Sequence, residues 1–151
     1  MNRNKRTGNN QGFTIVELIV VVTVIGLLAT VAVGAYNKVV NDAKVAKSTA
    51  LVNTLSTAKS LFVADPNTRP DMIASYNSGV ASGGDSASSF NMIAAYIRVN
   101  GYTPTSEADL LTKSGFPSSG VNITLGTVDD KSFGGENSDE KPTVTGYGLT
   151  Q

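Results

Sequence analysis

Residues Leu18–Asn37 read LIVVVTVIGLLATVAVGAYN, 20 residues without a charge. As a helix rising about 1.5 Å per residue, this run spans about 30 Å, the thickness of a bilayer's hydrocarbon core. Every residue from Ile19 to Ile25 is β-branched. Over a short run that would suggest a buried strand; the length decides for a membrane helix. The rest of the chain is polar, so the pattern describes a membrane anchor carrying a small head outside the cytoplasm.

The run is preceded by MNRNKRTGNNQG, which holds Arg3, Lys5 and Arg6 and no acid. Such a segment could be the basic start of a signal peptide, with cleavage after the small or β-branched residues Val33, Gly34 and Ala35, before Tyr36. Two features fit that poorly. The apolar run exceeds the ~7–15 residues of a signal peptide's apolar region. Glu17 also stands at its threshold, and a charge deep in a membrane helix costs roughly 2.5–3.5 kcal/mol, less near the interface. As a bland alternative, Glu17 would simply favour the positive end of a helix dipole.

Composition narrows the function. The chain has 151 residues, room for one small domain, and only 16% are charged. Lys plus Arg and Asp plus Glu are 12 each, so no basic excess supports nucleic-acid binding by counterion release. With no Cys and no His, Cys/His zinc sites, disulfides, thiol nucleophiles and Ser-His or Cys-His pairs are excluded. Carboxylate-only catalysis remains chemically open, but the composition favours a structural or binding role over an enzyme.

Gly12-Phe13-Thr14-Ile15-Val16-Glu17 reads G-F-T-x-x-E, immediately before the apolar run. With the short basic leader, this resembles the prepilin signature of type IV pilins and type II secretion pseudopilins. The resemblance covers roughly residues 1–40. Gly26 and Tyr36 fall where such helices carry Gly and Tyr, while Gly34 stands where many members have Pro. The resemblance implies that a prepilin peptidase cuts between Gly12 and Phe13 from the cytoplasmic side and methylates the new Phe13 amine. It implies that Glu17 pairs with the amino terminus of a neighbouring subunit, since an ammonium offsets the cost of a carboxylate in lipid.

The implied product is a structural subunit of a type IV pilus-like filament. It begins as a single-pass inner-membrane protein and ends in a periplasmic or cell-surface filament. Its partners are identical or related subunits, the peptidase and an inner-membrane assembly platform; no cofactor is implied. A type II secretion pseudopilin is the alternative, and a Sec-exported, membrane-anchored binding protein a remoter one. Basic residues flank the span on both sides, so the cytoplasmic leader follows from the resemblance and not from charge. Cleavage removes three of the 12 basic residues and no acid, leaving 9 against 12 and a net charge of −3.

The expected fold is α+β. Leader 1–12 is followed by a long helix over 13–64, membrane-spanning at about 18–37, and a head over 65–151. From Tyr36 to Ala64 there is no Gly or Pro. Val40, Ala43, Ala50, Leu51, Leu55, Ala58 and Phe62 follow helical spacing and predict one buried face, with Asn41, Lys44, Ser48 and Lys59 on the wet side. Asp65-Pro66 ends the helix, because a residue before Pro avoids the α region. The full helix would measure roughly 78 Å, and its second half would pack on the head.

Within the head, the Gly/Ser/Asn-rich stretch 66–89 predicts mostly loop, with a helical turn after Pro70. Phe90, Ile93, Ala94 and Ile97 predict a short helix ending near Gly101. Gly101-Tyr102-x-Pro104-x-Ser106 resembles the segment after the helix in pseudopilin heads. Ser106-x-x-Asp109 is a capping-box variant before Leu110 and Leu111, with Gly115 as the stop. Val121–Leu125 predicts a strand, and the segment 141–150, with Val144 and Tyr147, its antiparallel partner. Asp129, Asp130, Glu136, Asp139 and Glu140 crowd the loop 129–140 between them. Five carboxylates raise the question of calcium, but no EF-hand spacing is present, so a solvated acidic loop is expected and no metal site. Tyr76, Tyr96 and Tyr102 could stack on single-stranded DNA; packing is the simpler use, and nucleic acid is not an expected partner.

Overall fold

A computed structural model describes residues 12–81, 86–117 and 119–146. Four helices precede a small sheet: α1 (Ile15–Ala64), α2 (Pro70–Ala81), α3 (Ser86–Ala94), α4 (Glu107–Lys113), β1 (Val121–Thr124) and β2 (Thr143–Gly146). This is the expected α+β order. The chain divides into two units, Met1–Val40 and Asn41–Gln151, with α1 contributing to both.

In the first unit α1 is continuous through Gly26 and Gly34, and an added Cβ at either would meet open space. Its apolar side chains from Leu18 to Leu28 are all more than half exposed. The two hydroxyls in the run bond to their own backbone, Thr23 Oγ1 to Val20 O at 2.8 Å and Thr30 Oγ1 to Leu27 O at 2.7 Å. That satisfies the donors where no water is at hand.

In the second unit the 41–64 part of α1 forms the wall of a single core. Leu51, Leu55, Ala58 and Phe62 are buried, as the spacing predicts, but Ala43 and Ala50 are exposed and Val40 only half-buried. The expected wet face also needs correction. Ser48 and Lys59 are buried and Lys44 half-buried; only Asn41 of the four is exposed. Ser48 closes its hydroxyl on Val45 O, and Lys59 finds oxygen partners across the head. α1 ends at Ala64, where Asp65 side-chain Oδ1 accepts from Asn67 N beyond Pro66.

The stretch read as mostly loop contains the three-turn helix α2. Pro70 starts it, and Ile73 and Tyr76 bury one face. Gly79 does not break it, because Gly79 is where α3 crosses: a Cβ there would run into the Ser89 hydroxyl, which donates to Tyr76 O at 2.8 Å. α3 stops at Ala94, well before Gly101. A tight turn intervenes, with Asn100 at φ 52° and Gly101 at φ 79°, and Val99 and Tyr102 exchanging both backbone bonds at 2.9 Å. This is the Asn-Gly hairpin turn that needs two residues at positive φ.

α4 follows its sequence signals. Ser106 accepts from Asp109 N at 3.2 Å, while the Asp109 carboxylate reaches Thr105 N instead of closing on Ser106. Gly115, at φ 76°, ends the helix with Phe116 N bonding to Leu111 O and Gly115 N to Thr112 O, the paired bonds of a Schellman stop. Beyond it, β1 and β2 pair antiparallel with Ile123 opposite Val144. Both of these side chains, with Leu125 and Val128, close the core. Tyr147 and the remainder of the expected second strand lie outside the described residues.

Candidate functional site

The residues singled out in the sequence meet at the start of α1. Gly12, Phe13 and Thr14 are non-helical, and Phe13 is 88% exposed. The expected helix start at Phe13 moves to Ile15, and the cause is a capping box. Thr14 Oγ1 accepts from Glu17 N at 3.2 Å. The Glu17 carboxylate accepts in return from Thr14 N and from the Thr14 hydroxyl, each at 3.0 Å. Two of the helix's orphan N–H donors are thereby satisfied reciprocally. Glu17 has, therefore, more than a favourable place near a helix dipole: it fixes where the helix begins. Thr14 is the partner that sequence reasoning missed, although T-x-x-E before an apolar run is itself the capping-box signal. The Gly12–Phe13 junction remains outside the helix with open space around Gly12.

The acidic loop 129–140 is anchored from within by Asp130. Asp130 is only 6% exposed. Its carboxylate accepts from Asn137 N at 2.9 Å, Asn137 Nδ2 at 2.7 Å and Asn77 Nδ2 at 2.9 Å. Those donors, the Asn137 side chain foremost, hold its carboxyl below the usual carboxylate range. Asn77, buried in α2, also receives Val128 N and donates to Val128 O. Carboxylate oxygens turned toward N–H groups are turned away from a metal. Among the described residues no group of three or more carboxylates converges as a metal site would.

The second anchor of the loop is Lys59. Its residue is 2% exposed. The ammonium donates to Thr127 O at 2.8 Å and to Glu140 O, and pairs with Asp139 Oδ1 at 3.2 Å. The tyrosines are likewise committed. Tyr76 is fully buried, and that burial, with the Asp139 charge, pushes its ionisation well up; its hydroxyl donates to Gly126 O. Tyr96 packs on Phe62 and bonds Asp65. Tyr102 lies under the Lys113 ammonium, 4.8 Å from the ring centroid.

A capped apolar helix preceded by a non-helical Gly-Phe junction, and followed along the chain by a small α+β head, is an arrangement that suits a membrane-anchored precursor. Comparison with protein families supports this: residues 7–33 match the prokaryotic N-terminal methylation motif. The chain thus carries a prepilin signature of the type IV pilin and pseudopilin kind, a class whose role is structural, not catalytic. α1 is long and apolar enough to cross a membrane, and with the motif it supports a single-pass, membrane-anchored precursor. Neither a curated protein nor a solved structure matches the chain.

Proposed function

We propose that this chain is a structural subunit of a type IV pilus-like filament assembled from the inner membrane, and that it has no catalytic role of its own. A prepilin peptidase removes residues 1–12 and methylates the Phe13 amine. The apolar part of α1 holds the subunit in the bilayer until an assembly platform passes it to the filament, where the apolar helices bundle and the heads coat them. The observation that carries this reading is the joining of the methylation motif at residues 7–33 to a capped, exposed apolar helix.

Within the filament, Glu17 pairs with the Phe13 amine of a neighbour. The capping box leaves room for this, because both Thr14 donors go to Oε2 and a carboxylate has about four acceptor sites. Glu17→Leu tests the role. It removes a charge that lipid disfavours, so membrane levels and cleavage should match wild type. Loss of the cap weakens the first turn by only about 0.5–2 kcal/mol. Filaments seen by electron microscopy should nonetheless be few; wild-type filament yield would contradict the pairing.

A further inference from the structure

Two features of the second unit remain unused by the reading above, and their charges are opposite. One is a groove between α1 and the segment after α3. It consists of two adjoining clefts of about 300 and 410 Å³ that share Thr54 and Arg98. Its charged lining residues are Lys47 and Arg98, both cations. Lys47 donates to Gly115 O at 3.0 Å and Arg98 to the Thr103 hydroxyl. Neither makes an ion pair among the described residues, and a guanidinium with five donors has most of them to spare. The other feature is the loop 129–140, where Asp129, Glu136, Asp139 and Glu140 are exposed beside a single exposed cation, Lys131, so the loop is net anionic. Asp130, Asn77 and Lys59 hold that loop from within. Its shape is therefore fixed before any contact, and little ordering entropy is left to lose on docking.

We infer that the Lys47/Arg98 groove receives the acidic loop 129–140 of a second copy of this chain. This rests on the filament reading and names the head-to-head contact within it. The occupant follows from charge complementarity: the same head carries a cationic groove without anions and a rigid anionic loop. The two patches are different surfaces, so the contact is heterologous; a joined pair still has a free groove on one copy and a free loop on the other, and the series does not close on a dimer. Exposed ion pairs contribute little affinity. They set register and reject wrong partners, while the apolar helices supply the cohesion.

The test uses the full-length chain in cells that assemble it. Arg98→Glu and Glu136→Arg should each lower filament yield about tenfold, and the double variant should restore it to within about twofold. The chain has no Cys, so Asn53→Cys with Glu136→Cys reports the contact alone. Oxidised filaments of that variant should dissolve into a ladder of disulfide-linked oligomers, whereas each single Cys variant should remain monomeric. Wild-type yields in both charge variants, a double variant no better than the singles, or an unlinked double-Cys filament would each overturn the docking. A lesion from Arg98→Glu alone, unrescued by Glu136→Arg, means the groove takes another anion and overturns it too. Absence of filaments from the wild-type chain would instead overturn the filament reading itself, and this contact with it.

Discussion

Lys59 carries an ammonium into the interior of the second unit, where it is surrounded by Thr127 O, Glu140 O and the Asp139 carboxylate. Desolvating such a charge costs several kcal/mol, which the three oxygens must offset. The cross-link they form spans 68 residues to Thr127 and 81 to Glu140, so it ties the loop to α1. Lys59→Met keeps the aliphatic stem and removes the ammonium, so Glu140 O and the Asp139 carboxylate lose their Lys59 partner while Thr127 O keeps only Glu140 N. We expect thermal unfolding of the detergent-solubilised chain to show a loss of about 1–3 kcal/mol. Unchanged stability would mean the oxygens find water at no cost. Nothing in the sequence distinguishes Lys59 from Lys44 or Lys47; its burial depends on carbonyls from a segment far along the chain, and periodicity within one helix cannot report those.

Gly79 shows the same limit for elements. An isolated Gly in a Ser-rich stretch reads as a break, yet it lies inside α2 because Ser89 of α3 occupies the space its side chain would need. In a free helix Gly→Ala gains stability of about 1 kcal/mol. Here Gly79→Ala should instead destabilise by about 1–3 kcal/mol through overpacking. Adding Ser89→Gly should recover part of that, read from the shift in denaturation midpoint. Where the deciding signal is local, the sequence was legible: Pro66 ends α1, and Ser106 and Gly115 frame α4. Asn100-Gly101 was equally local, and reading the preceding apolar residues as a helix up to Gly101 overlooked it. At the candidate site the sequence singles out Gly12, Phe13 and Glu17, and all three fall inside the matched motif at residues 7–33. Thr14 was legible too, as T-x-x-E before an apolar run, but reading Glu17 only as a charge overlooked it.

Across the molecule, several carboxyls are held below their ordinary range: Asp130 chiefly by Asn137, Asp65 by the Tyr96 hydroxyl, and Asp109 by Thr105 N. A carboxyl depressed on folding contributes stability above its unfolded pKa, about 3.9, and loses it as pH falls through the lower folded value. The second unit should therefore be steady from pH 7 to about 5 and weaken below about 4. Asp130→Asn should be less stable at pH 7 and show a smaller drop between pH 7 and pH 3, by circular dichroism melting; an identical drop would remove Asp130 from the acid transition. The proposed filament role, which rests on the exposed apolar helix and the methylation motif, makes one demand on the whole chain: its N-terminus is remade before it polymerises. Intact-mass analysis and N-terminal sequencing of the protein from the membrane fraction test this directly. The account predicts loss of residues 1–12, a single added methyl on the Phe13 amine, and a retained precursor in Gly12→Val. A mature protein that still carries Arg3, Lys5 and Arg6, or one that begins at Tyr36, would contradict it.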